Sequence, residues 1–222
     1  MINLKLLEFF ESFLTEKRKN LFKTVLENRT RHFTVVLEDI YQPHNASAVV
    51  RTCDIFGVQD IYTIENKYNN KVSRHVAKGS QKWLNHFRYK SDGDNTKECL
   101  SNLKSKGYQI IATTPHNDSC LLQNFDVSKK SAFVFGVEAA GVSDYVLENA
   151  DGFLKIPMVG FTESLNISVA AAIILQDVTT KLRKSELEWQ LSTEEKEILY
   201  FDWVKKSIKN AAKIEERFYV NL

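Results

Sequence analysis

The sequence predicts an α/β fold with a mainly parallel sheet and helices on both faces. Three observations predict it. Strand-like runs alternate with helix-like stretches from residue 33 to residue 175, the order that builds parallel sheets. Runs such as FTVVL and AFVF are short and almost wholly apolar, as strands buried on both faces are. Polar, glycine-containing segments follow the strands at once, where such folds keep a ligand site.

Residues 4–14 and 17–27 read as two short helices, with Leu21, Phe22, Val25 and Leu26 at helical spacing. A strand is expected at 33–37. A helix at 45–56 offers Ala46, Val49, Val50, Cys53 and Ile55 for burial, and Gly57 stops it. A second strand covers 60–65. A basic loop leads to a strand near 83–89, and Gly93 and Asp94 punctuate the chain after it. A helix at 96–106 ends at Gly107. Strands follow at 108–113, 132–135 and 153–156, with a short helix at 143–149 between the last two. A long helix over 164–184 closes the core. The tail opens on a capping box, Ser192 to Glu195, and continues as a helix bearing Trp203. The expected division is a basic helical extension at 1–31, the α/β domain at 32–184 and a helical extension at 185–222.

Composition narrows the class. At 222 residues, 43% apolar and 26% charged, the chain has the make-up of an ordinary globular protein. The longest apolar run, 169–175, is too short to span a membrane. Residues 1–19 lack the apolar centre of a signal peptide. Three well-separated cysteines without CxxC fit a reduced, cytoplasmic setting and no zinc site. The net charge of +2 says little, but its distribution says more. From residue 66 to residue 91 there is no Asp or Glu, while Lys67, Lys71, Arg74, Lys78, Lys82, Arg88 and Lys90 fall in that window. Such a window fits a polyanion partner. Lys17, Arg18 and their basic neighbours before the first strand agree with it. The interleaved Trp83, Phe87 and Tyr89 read as strand residues facing a core rather than as platforms for bases.

Familiar nucleotide and metal motifs are missing. There is no GxGxxG. GVEAAG has P-loop spacing without the Lys that would neutralise phosphate, and neither HExxH nor GxSxG occurs. Three polar clusters remain. His44-Asn45 and Arg51-Thr52 belong to the first helix after a strand. Gly136, Glu138 and Gly141 follow a buried strand, and Ser164-Leu165-Asn166 opens the last long helix. Taken singly, each also reads as a cap, a turn or a surface charge.

Taken together and in order, they resemble the SpoU/TrmH ribose 2′-O-methyltransferases. Asn45-x5-Arg51-Thr52-x4-Gly57-Val58 is similar to the first motif of that family, and Phe135-Gly136-Val137-Glu138-x2-Gly141 to the second. Ile156-Pro157-Met158-x-Gly160-x3-Ser164-Leu165-Asn166-x-Ser168-x-Ala170 is similar to the third. The resemblance implies a SPOUT fold with a C-terminal trefoil knot, an exception to the rule that chains stay unknotted. It implies S-adenosyl-L-methionine bound in that knot, and a homodimer. Cofactor contacts would fall at Thr113, Gly136, Ile156, Met158, Gly160 and Leu165. The catalytic set would be Arg51, oriented by Asn45, Glu138, Ser164 and Asn166.

Arg51 occupies the position of the family's proposed base, yet guanidinium holds its proton tenaciously. Either it loses a proton transiently beside phosphate and sulfonium, or it steadies the forming alkoxide while water takes the proton. RNA contacts are expected from Lys17, Arg18, Lys71, Arg74, Lys78 and Lys82. Helical extensions on both sides resemble the tRNA enzyme that methylates the D-loop guanosine, so tRNA is favoured over rRNA. A catalytically silent RNA-binding protein on the same fold is the alternative of a different class; the missing glycine fingerprint disfavours a nucleotide-dependent oxidoreductase.

Overall fold

The structure, a computed structural model, describes residues 2–68, 73–115, 119–137 and 140–220, without the side chain of residue 74. The chain divides into two compact units, Thr30–Trp189 and a helical unit made of Met1–Arg29 with Gln190–Leu222.

In the larger unit the strands are β1 (Phe33–Glu38), β2 (Asp60–Ile64), β3 (Asn85–Tyr89), β4 (Gln109–Thr113), β5 (Cys120–Leu121), β6 (Ser131–Phe135) and β7 (Gly152–Lys155). Among the described residues they form one sheet in the order β3-β2-β1-β6-β4-β7-β5. Every pairing is parallel, from Val35 opposite Ile61 to Cys120 opposite Leu154. The helices are numbered along the whole chain, and this unit carries the third to the seventh: α3 (Pro43–Ile55), α4 (Arg74–Ala77), α5 (Asn95–Ser105), α6 (Asp144–Asn149) and α7 (Ile167–Lys184).

Strand periodicity explains the layers. Successive side chains of a strand point to opposite faces. Phe33, Val35 and Leu37 of β1 pack with Val49, Val50 and Cys53 of α3 and Ile174, Leu175 and Val178 of α7. Val36 turns to the other face, with Cys99, Leu100 and Leu103 of α5 and Val146 of α6. Each fully buried aliphatic side chain contributes about 1.5–3 kcal/mol, so both faces of the sheet contribute to stability.

The helical unit is α1 (Leu4–Glu11), α2 (Glu16–Leu26), α8 (Thr193–Ser207) and α9 (Ala211–Val220). Asn3 and Thr15 cap the first two helices, and the Ser192–Glu195 capping box forms as expected. Its core gathers Phe10, Phe22, Leu26, Leu199 and Trp203, all buried. Trp203 meets Phe22 edge to face at 5.7 Å, and the Arg29 guanidinium lies 5.3 Å from the Trp203 ring.

Most expected elements are present with ends moved by a few residues, and five points differ. The expected basic loop contains the short helix α4 and a 3-10 turn at Ser80–Lys82, so β3 starts at Asn85 rather than near 83. Strand β5 was not foreseen, because two residues carry no periodicity. Helix α3 starts at Pro43, whose fixed φ suits a first helical turn, so Gln42 and not Asn45 sits at its N-cap. The long helix starts at Ile167 and is capped by Asn166, so Ser164 lies before it. The aromatics of β3 are only partly core residues. Phe87 is 37% exposed, stacks on the buried Tyr62 at 4.8 Å, and carries the Lys106 ammonium 5.0 Å from its ring centre.

Candidate active site

Because the strands are parallel, the segments leaving β4, β6 and β7 gather at one edge of the sheet. There they line a cleft with Thr113, Thr114, Phe135, Gly136, Val137, Gly141, Leu154, Ile156, Met158, Ser164 and Leu165, above Ile167, Ala170 and Ile174 of α7. Apolar side chains form the floor, and backbone with a few hydroxyls forms the rim.

The turn after β6 is unusually tight. Val137 and Gly141 exchange backbone hydrogen bonds, N–H to O, at 2.9 and 2.7 Å. A Cβ on Gly136 would lie 2.0 Å from the Gly141 carbonyl oxygen, so no other residue fits. Gly141 itself has φ of 72°, the left-handed region that glycine enters freely. Thr113 is tied down, its hydroxyl donating to the Val134 carbonyl at 2.9 Å.

Asn45 and Asn166 come together from distant points of the chain. Asn166 Nδ2 donates to Asn45 Oδ1 at 3.2 Å, while Asn166 Oδ1 accepts from the Ser168 amide at 2.9 Å and the Ser168 hydroxyl at 2.6 Å. Asn45 is 4% exposed. The pair ties the start of α7, whose neighbours Leu165 and Ile167 line the cleft, to the first turn of α3.

Arg51 faces elsewhere. Six residues further along α3 is about 600° of helical turn, which places it on a different face from Asn45. It lines a shallow groove with His44, Ala48, Thr52, Ile55, His75, Val76 and Lys78, and no carboxylate is among these lining residues. Arg51, His44, His75 and Lys78 are all exposed. The far wall is anchored by the Ser73 amide, which donates to Ser47 Oγ on α3 at 2.8 Å. Lys78 has φ of 52°, in the left-handed region, and Gly79 follows at 94°. A side chain there costs about 1–2 kcal/mol, and such strain concentrates at functional sites.

Thr113, Gly136, Ile156, Met158 and Leu165 therefore share one cleft, and Ser164 joins its rim. Gly160 does not. It lies in a neighbouring depression with Pro157, Thr162 and Glu163, and a Cβ on it would meet nothing closer than 4.0 Å. Lys78 lines the Arg51 groove, and Lys82 is exposed at the end of the 3-10 turn. Lys17 is exposed on α2, whereas the Arg18 guanidinium lies over the Phe22 ring at 5.0 Å. Glu138, Lys71 and the Arg74 side chain lie outside the described residues. Sequence reasoning did not single out His75; its place between two cations in the acid-free window was the available signal. Among the described residues no three His, Cys, Asp or Glu side chains are grouped to hold a metal ion, and no helix is long and apolar enough to cross a membrane.

A parallel α/β sheet whose strand ends open into an apolar cleft at a glycine turn has the ligand site of an α/β enzyme fold, and a separate groove on α3 carries Arg51 and Lys78. The chain belongs to the SpoU rRNA methylase family, whose profile matches residues 32–176. It is similar to a tRNA (guanosine(18)-2′-O)-methyltransferase of Borreliella burgdorferi, 41% identical over 96% of this chain and 95% of that protein. A protein of the same name from Thermus thermophilus is 36% identical over 86% of this chain and 98% of its own length. The solved TrmH/SpoU tRNA modifying enzyme of Aquifex aeolicus superposes with a TM-score of 0.78 at 32% identity, covering 88% of this chain and 98% of that one.

Proposed function

We propose that this protein transfers the methyl group of S-adenosyl-L-methionine to the ribose 2′-OH of the D-loop guanosine of tRNA. The observation that carries the reading is an apolar cleft at the Gly136–Gly141 turn together with a groove on α3 whose described lining carries Arg51 and Lys78 and no carboxylate. Similarity to tRNA (guanosine(18)-2′-O)-methyltransferases along nearly the whole chain supports tRNA over rRNA.

The cleft suits the cofactor. Leu165, Ile156, Met158 and Ile174 offer apolar surface for a purine, while Thr114, Ser164 and the backbone around Gly136 offer polar partners for a ribose. Bound there, S-adenosylmethionine supplies a methyl group on a sulfonium, already a strong electrophile. The chain's own residues must then orient the acceptor hydroxyl and steady the charge that develops on it. Asn45 and Asn166 tie the start of α7, which lines the cleft, to α3, which carries Arg51. Arg51 makes no ion pair or hydrogen bond among the described residues, so its planar fork is available for an RNA phosphate and the forming alkoxide. Glu138 is assigned to the same set on motif similarity. Lys17, Arg18, Lys71, Arg74, Lys78 and Lys82 are proposed as RNA contacts, with His75 added from the groove.

We also infer the trefoil knot, a homodimer and work in the cytoplasm, where tRNA is found. The knot reading is supported by β7, the last strand, lying between β4 and β5 laid down before it. The dimer reading is supported by exposed apolar side chains around the start of α7, with Val159 and Phe161 fully exposed and Leu165, Val169 and Ile173 at 38, 45 and 37%. Trp203 does not contribute, being 1% exposed inside the helical unit. The test is mass mapping of 2′-O-methyl sites on total RNA after incubation with enzyme and cofactor. A new methyl on the D-loop guanosine is expected. Methylation confined to rRNA would overturn the substrate assignment.

A further inference from the structure

Two adjacent carboxylates at the end of β1 take no part in the lining of the cleft or of the groove. Glu38 is 3% exposed and Asp39 7%. Burying a carboxylate is costly unless hydrogen bonds replace its water. The Glu38 carboxylate accepts from the Thr96 hydroxyl, the Ser143 hydroxyl and the Ser143 amide, each at 2.8 Å. Ser143 ends the glycine turn that lines the cofactor cleft, and its hydroxyl caps α6. Asp39 reaches the other way. It sits at φ of 51°, in the left-handed region, and its Oδ1 accepts from the backbone amides of Asn66 at 2.7 Å and Lys67 at 2.8 Å. Those residues open the acid-free basic segment.

One side-chain bridge joins the two halves. Asn66 Nδ2 donates to Thr96 Oγ1 at 2.9 Å, and Thr96 Oγ1 in turn donates to Glu38. Asn95 Nδ2 steadies Asn66 Oδ1 at 3.0 Å. A continuous path of hydrogen bonds therefore runs from the cofactor turn, through Ser143, Glu38, Thr96 and Asn66, to the start of the basic segment.

We propose that Glu38 is a positioning residue whose bridge through Thr96 and Asn66 couples the cofactor cleft to the RNA-facing basic segment, so that cofactor and tRNA each tighten binding of the other. This rests on the assignment of the cleft above. A ligand held against the glycine turn fixes Ser143 and, through the bridge, the backbone amides of Asn66 and Lys67, so the second ligand meets those groups already placed. The coupling must be reciprocal, as binding linkage requires.

The experiment is calorimetric titration of S-adenosylhomocysteine with and without tRNA. Wild-type protein is expected to bind it at least about fivefold more tightly with tRNA present. Asn66→Ala and Thr96→Val should bring that factor close to one while leaving the affinity for S-adenosylhomocysteine alone unchanged. Thr96→Ser keeps the hydroxyl and should restore the factor, which a merely structural role for Thr96 does not predict. A wild-type factor of one overturns the proposal and leaves the cleft assignment standing. So does an undiminished factor in folded Asn66→Ala or Thr96→Val protein. If Gly136→Ala binds S-adenosylhomocysteine as wild type does, the cleft assignment falls and the proposal with it.

Discussion

At the scale of single residues, the site divides by chemistry. Among the described residues Arg51 has no ion-pair or hydrogen-bond partner and lies in a groove separate from the cleft, so its replacement should affect turnover rather than cofactor binding. Arg51→Lys keeps the charge and loses the planar fork; single-turnover assays at saturating tRNA should show at least about a hundredfold loss, the scale of one oriented electrostatic group. Wild-type turnover would return Arg51 to the rank of an ordinary basic residue. Lys78 offers a sharper separation of structure from function. Its left-handed backbone is strained, so Lys78→Gly should stabilise the protein by up to about 1 kcal/mol in urea titrations. The same change should weaken tRNA binding and flatten its salt dependence by about one phosphate contact. Unchanged binding at every salt concentration would remove Lys78 from the RNA face. The sequence exposed the residue types and their order, which is why five of six expected cofactor positions share one cleft. Gly160 lines the adjoining depression, which shares Ile156 and Met158 with the cleft; a glycine in a motif does not reveal which side of a loop it serves. The motif resemblance placed Asn45 and Asn166 in one set, but spacing could not show their direct hydrogen bond, since 121 residues separate the pair.

At the scale of elements, alternating strand and helix patterns were legible because burial on both sheet faces imposes them. The edges were not. Strand β3 carries a half-buried side, and there His86 accepts or donates a hydrogen bond with the Thr63 hydroxyl. Burial foremost, and then the nearby Arg88 charge, push its imidazole down to about 4 from the usual 6.5. The folded state then binds fewer protons than the unfolded chain between those two values. This contribution to stability is complete above about pH 6.5 and is lost as pH falls toward about 4. The stability advantage of wild type over His86→Gln should therefore shrink across that window in chemical denaturation; an advantage independent of pH would contradict the assignment. The apolar start of α7 makes a second expectation at this scale. Val169→Asp places a charge on that exposed face, and light scattering should show the proposed dimer replaced by monomer. A wild-type protein already monomeric at micromolar concentration would dispose of the dimer.

At the scale of the whole molecule, the two ends of the chain meet to form one helical unit, although sequence patterning presents them as separate extensions. Periodicity identifies each helix but carries no information on which distant helix completes its core. Trp203 shows what that completion requires. It is 1% exposed, packed on Phe22 from α2 and under Arg29. Truncating such a side chain leaves a cavity and costs about 3–5 kcal/mol. Trp203→Ala should therefore lower hydrogen-exchange protection in α1, α2 and α8. Among the described residues, those that line the proposed cofactor cleft fall between Thr113 and Ile174, within the other unit. Affinity for S-adenosylhomocysteine should accordingly stay at the wild-type value, while tRNA affinity falls because Lys17 and Arg18 lose a fixed platform. A parallel fall in both affinities would mean that the helical unit supports the catalytic fold itself, and that Lys17 and Arg18 need have no contact with RNA.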